Sequence, residues 1–149
     1  LAPGTAGVVL TSPPFLDPAR SRVAVEEAAA HAMPRDGALA DWLKACFALL
    51  RPGGTLALIH RADALAELVA ACSGRGGDIR ILPVHATADA PAIRLLIRAV
   101  KGSRKPLSLM PGLVLHESDG AYRPEAEALL RGAASIDWTE PPTKKGRSR

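Results

Sequence analysis

A chain of 149 residues, 48% of them apolar, is long enough to bury one sizeable core and too short for two. No stretch approaches the ~18 consecutive apolar residues of a membrane span, and no charged-then-apolar leader opens the chain, so the expected location is cytoplasmic. The net charge of +4 is uneven: residues 94–116 carry five basic and no acidic side chains, and residues 139–149 carry four basic against one acidic, which suits a polyanion partner or, equally, a solvated face and a solubilising tail.

Val8-Val9-Leu10-Thr11 is a β-branched run between a Pro/Gly loop and Ser12-Pro13-Pro14, and reads as a buried strand that ends abruptly. Across residues 16–35 the breakers Asp17-Pro18 and Met33-Pro34 predict a mobile loop with at most one short Ala-rich helix. Leu39, Trp42, Leu43, Cys46, Phe47 and Leu50 then fall at i, i+3, i+4, i+7, i+8 and i+11, one stripe on a helix of about three turns. Arg51-Pro52-Gly53-Gly54 stops it, because proline breaks the helical hydrogen bonding and glycine accepts the positive φ of a C-terminal cap. Residues 55–60 read as a second buried strand. Residues 62–72 read as a second helix, with Leu65, Leu68, Val69 and Cys72 on its apolar side. Gly74-Arg75-Gly76-Gly77 is a plain exit turn, since a phosphate-cradling loop would follow a strand and this follows a helix.

Residues 79–84 and 93–100 are two further strands. Arg94, Arg98 and Lys101 would also share a helical face, and Pro91 just upstream favours the strand. Pro124–Leu130 reads as a short helix, with proline in its first turn and Glu125 and Glu127 near the positive end of its dipole. The tail from Thr139 onward is expected to be disordered. Helix-strand alternation predicts an α/β fold, a mainly parallel sheet with helices on both faces. Cys46 and Cys72, far apart and in helices, are expected as buried free thiols.

The segment from Val8 to Phe15 resembles motif IV of the amino-methyltransferases, which modify exocyclic amines and carry Asn, Asp or Ser before Pro-Pro and an aromatic. Such an amine is a poor nucleophile because its lone pair is delocalised into the ring. Acceptors must therefore draw its hydrogens out of plane and aim the nitrogen at the methyl donor. The Ser12 side chain and the Pro13 carbonyl would receive the two N–H groups, Pro13 and Pro14 would hold the backbone rigid, and Phe15 would stack on a flipped base. Ser-Pro-Pro is also a common turn, but here it ends a strand, where open α/β sheets place ligands. A hydrolase triad on Ser12 is set aside, because no Gly-x-Ser-x-Gly elbow surrounds it and Pro13 has no N–H for an oxyanion hole.

Within that class the chain resembles the bacterial tRNA adenine-N6 methyltransferases that act on a valine tRNA near the anticodon. The landmarks span residues 8–130: the Ser12-Pro13-Pro14-Phe15 turn, Leu50-Arg51-Pro52-Gly53-Gly54, the strand ending Leu58-Ile59-His60-Arg61 with Ala62-Asp63-Ala64-Leu65, Lys101-Gly102-Ser103-Arg104, and Leu113-Val114-Leu115-His116. The resemblance implies a Rossmann-like class I methyltransferase sheet, of which residues 1–138 form the C-terminal part. It also implies S-adenosylmethionine as donor, with Thr11 and Ser12 at its site, and adenine N6 in tRNA as acceptor. The glycine-rich donor turn of this class should precede motif IV, and nothing of that kind precedes Val8, so the cofactor-binding half is expected outside this sequence. His60 and Arg61 end a strand at the same edge and could touch substrate, and Arg94, Arg98, Lys101, Arg104 and Lys105 could meet RNA phosphates. The plainer alternatives are a locally satisfied histidine and a charged edge strand. Two other readings stay open. Ser in place of the family's usual Asn at position 12 is the form that DNA cytosine-N4 methyltransferases tend to carry, and a catalytically silent RNA-binding remnant would keep the basic segment. Methyl transfer from a cationic sulfonium calls for no metal.

Overall fold

The structure, a computed structural model, describes residues 2–13 and 38–139. The readings made for residues 16–35 and for the tail beyond Thr139 lie outside them. In chain order come β1 (Ala6–Thr11), α1 (Ala38–Leu49), β2 (Leu50–Arg61), a 3-10 turn (Ala62–Ala64) running into α2 (Leu65–Cys72), β3 (Gly76–His85), β4 (Ala92–Lys101), the two-residue strands β5 (Ser108–Leu109) and β6 (Leu113–Val114), and α3 (Pro124–Leu130).

The apolar stripe of α1 is buried at Leu43, Cys46 and Phe47, with Leu39 and Trp42 packed at its rim. Leu50 continues the stripe in sequence yet belongs to β2, because its backbone pairs with Ala6 of β1. The chain leaves the ladder after Leu50 and rejoins it where Thr55 pairs with Val8. Pro52-Gly53-Gly54 makes that excursion possible. Gly53 takes φ +75°, and a Cβ on Gly54 would stand 2.9 Å from the Arg51 carbonyl oxygen and 3.0 Å from that of Ala6.

The strand order is β1-β2-β4-β3-β5, with β6 also beside β3. β1 and β2 are parallel, whereas β4 is antiparallel to both β2 and β3, so the sheet is mixed rather than mainly parallel. The cause is local. Only residues 86–91 join β3 to β4, and a parallel crossover needs a dozen residues or more. β4 therefore returns as a hairpin partner between β2 and β3. In consequence β1, β2 and β3 run the same way, and their C-terminal ends share one edge with the start of β4.

Both α1 and α2 cover the same face. Leu56 and Leu58 of β2, Ile79 and Ile81 of β3, and Leu95, Ile97 and Ala99 of β4 alternate inward against Leu43, Phe47, Leu50, Leu68 and Cys72. Each such leucine or isoleucine contributes about 1.5–3 kcal/mol relative to exposure. Cys46 and Cys72 are buried free thiols, as the sequence predicts, and burial pushes Cys72 up to about 11. On the other face the described residues place Leu82, Val84 and Met110 under Leu113, Leu115, Ile136 and Trp138. Arg80 pins that C-terminal segment by donating to the Trp138 carbonyl. Among the described residues the remainder of this face is exposed: Val8 is 67% exposed, Leu10 81% and Ile59 38%. β1 pairs with β2 alone, so its outer edge is open among the described residues.

Candidate active site

The site is built at the C-terminal end of β1. Thr11 turns its side chain toward α1, where its Oγ1 accepts a hydrogen bond from Trp42 Nε1 at 2.9 Å. Burial holds the Cys46 thiol above its ordinary pKa, against the lowering effect of the nearby Thr11 hydroxyl. Helix α1 thus clamps the last residue of the strand from one side. Ser12, next in the chain, is exposed, and Pro13 is fully buried. A fixed residue on either side of Ser12 restricts where its hydroxyl can reach, which is the requirement for an aimed acceptor. Pro14 and Phe15 lie outside the described residues, so their expected parts in rigidity and stacking have no structural counterpart here.

The neighbouring strand brings His60 and Arg61 to the same edge. Thr11 pairs with Leu58 in parallel register, and His60 lies two residues further along β2. His60 is 7% exposed and lies on the helix-covered face with Leu56 and Leu58. Burial pushes its imidazole pKa below the ordinary value, favouring the neutral ring; the Arg61 backbone and the carboxylates of Glu67 and Asp63 oppose that shift. Arg61 is exposed and ion-paired with Asp63, its Nε standing 2.9 Å from Oδ1. That bond holds the Asp63 carboxyl below its usual range. Across the antiparallel ladder Arg61 is the direct partner of Arg94, which puts both residues on one face at this edge.

The rest of the basic run is dispersed by register. Arg98 lies mid-strand, where Asp78 Oδ2 takes its Nη1 at 3.3 Å while Oδ1 takes Arg80 Nε at 3.0 Å. Burial would raise the Asp78 carboxyl, but Arg80 and then Arg98 together hold it below the ordinary value. Lys101 donates from Nζ to the Leu50 carbonyl at 2.6 Å, tying β4 to the end of α1. Arg98 and Lys101 thus each hold a partner within the fold. Arg104 and Lys105 are exposed, but they follow Lys101, seven residues and about 23 Å along β4 from Arg94, at the opposite edge of the sheet. Sequence reasoning takes Trp42 for a core residue and misses its bond to Thr11. The available signal was that a tryptophan at the rim of a buried stripe needs an acceptor for its N–H.

No family model matches the sequence, and no curated protein matches it. Solved structures do. A protein of Agrobacterium tumefaciens named as a predicted O-methyltransferase superposes with a TM-score of 0.73 and 29% identity over 90% of this chain and 55% of its own. A Thermus thermophilus protein named as a DNA modification methylase gives a TM-score of 0.45 and 20% identity, over 71% of this chain and 51% of its own, and was also solved in complex with S-adenosyl-L-methionine. This chain spans about half the length of those structures, with 55% and 51% of them covered. What it contains is a mixed α/β sheet with helices, similar in structure to the methyltransferase fold.

Proposed function

We propose that this chain forms the acceptor side of an S-adenosylmethionine-dependent methyltransferase that methylates the exocyclic N6 of adenine in tRNA. The observation that carries the reading is Ser12, exposed at the end of β1 between a clamped Thr11 and a buried Pro13. On this chain the donor would meet the C-terminal end of β1. Thr11 offers its backbone there, because its hydroxyl is held by Trp42, and Ser12 follows. S-adenosylmethionine, when bound, supplies an electrophilic sulfonium methyl. The Ser12 hydroxyl and the Pro13 carbonyl accept the two amine hydrogens, take the nitrogen lone pair out of conjugation and hold its direction. Open to water, Ser12 also hands the surplus amine proton to solvent. Arg61 and Arg94 draw phosphates to this edge, and Arg104 and Lys105 engage backbone at the far edge, a span that suits a large folded RNA.

The test uses the protein expressed from its whole reading frame, with Ser12→Ala and Ser12→Asn compared for methyl incorporation into unmodified tRNA. Loss of an aimed acceptor lowers turnover by about 10²-fold in Ser12→Ala, while Asn, with a fixed amide oxygen, retains it. Ser12 is exposed, so neither change unfolds the chain. Unchanged turnover in Ser12→Ala would remove the role given to that hydroxyl.

A further inference from the structure

We infer that Tyr122, backed by His116, is a base-stacking platform for a second nucleotide of the acceptor, so that the substrate is a polynucleotide with an unpaired stretch rather than a nucleoside or another small molecule. β6 pairs with Val84 and His85 at the end of β3, and the backbone continues outward, with the His116 N–H donating to the Ala86 carbonyl at 2.9 Å. His116 and Tyr122 then form an antiparallel bridge. This turn projects beyond the same sheet edge that carries Ser12, Arg61 and Arg94. Its two rings stand 4.4 Å apart at 39°, and Tyr122, the only tyrosine of the chain, is 51% exposed. One ring thus steadies the other and leaves half of it to solvent, which is the form of an aromatic platform for an unpaired base.

His116 Nδ1 is buried with no hydrogen-bond partner among the described residues. Such atoms are uncommon, and each asks for an explanation beyond the local turn. Glu117 holds the Arg123 guanidinium at 3.1 Å, so the turn offers stacking more than phosphate attraction. From β1 across β2, β4 and β3 to β6 there are four inter-strand steps, about 19 Å at ~4.8 Å each. A strand stacked at about 3.4 Å per nucleotide covers that distance in about six nucleotides, and an extended one in fewer. The inference rests on the methyl-transfer reading for where the first base sits, but binding at the platform needs no donor.

The protein expressed from its whole reading frame is titrated, without donor, with an RNA of about eight nucleotides carrying 2-aminopurine at successive positions, and with adenosine monophosphate. The octamer binds more tightly than the mononucleotide, and 2-aminopurine fluorescence is quenched at one position by stacking. Tyr122→Leu weakens the octamer about tenfold with an unchanged salt slope, while Tyr122→Phe stays close to the wild type. No octamer binding, an octamer no tighter than the mononucleotide, or an unaffected Tyr122→Leu overturns the inference. Should Tyr122→Leu fail to fold, the wild-type quenching decides: its absence at every position overturns the platform. Tyr122-dependent binding without methyl transfer by the whole protein would count against the proposed function alone.

Discussion

Thr11→Val and Trp42→Phe test whether α1 fixes the turn that presents Ser12. The bond between them, Trp42 Nε1 to Thr11 Oγ1, is 2.9 Å long and partly buried. Thr11→Val leaves the indole N–H without its acceptor, a cost of about 1–3 kcal/mol. Trp42→Phe removes the donor and some packed ring, for a similar loss, but leaves a hydroxyl that Cys46 still contacts. Because both single changes delete the same bond, the double variant loses less than their sum, by about 1 kcal/mol. Urea unfolding followed by far-UV circular dichroism reads all four proteins without relying on the replaced tryptophan. The loss is expected again in turnover, since a displacement of about 1 Å at a positioning element lowers rate about 10²-fold. A coupling energy below the ~0.3–0.5 kcal/mol scatter of independent sites, or full turnover in a destabilised Thr11→Val, would refute the clamp.

Burial depresses the His60 pKa, so as pH falls the unfolded chain takes up that proton first. Its contribution to stability is full above its ordinary value of about 6.5 and declines as pH falls through the folded value. His60→Gln should flatten that part of a urea-midpoint profile, and an unaltered profile would contradict the assignment. The Asp78 carboxyl is held low by Arg80 and Arg98, so its contribution is present above about 3.9 and lost as pH falls through the folded value. Asp78→Asn keeps a residue type that tolerates the φ of 49° there but leaves two guanidinium groups without their anion. It should cost about 1–3 kcal/mol and loosen the segment around Trp138 in hydrogen exchange. With Leu10 81% exposed, Leu10→Lys should change unfolding free energy by less than about 0.5 kcal/mol while reducing self-association in sedimentation. A wild type that stays monomeric at every concentration would contradict the view of this face as adhesive.

The helix over residues 38–49 was legible because five of its apolar side chains keep one helical stripe, and the strands because each apolar run has glycine or proline on at least one side. Leu50 crossed from helix to strand, since its pairing with Ala6 is a contact across the fold that periodicity does not register. The antiparallel entry of β4 was legible in principle: residues 86–91 are too few for a crossover, and helix-strand alternation was given more weight than loop length. The basic run read as one surface because charge counting ignores register, and β4 carries it from one sheet edge to the other, with Asp78 and the Leu50 carbonyl taking two of its members on the way. Ser12 and Pro13 were legible as a motif, but the clamp behind them was not, because Trp42 lies 31 residues away in sequence.

The most direct test of the account is nucleoside mass spectrometry after incubating unmodified tRNA and DNA with S-adenosylmethionine and the protein from its whole reading frame. N6-methyladenosine in the tRNA, lost in Ser12→Ala, is the result the account predicts. N4-methylcytosine in the DNA, or no methylated base in either nucleic acid, would contradict it.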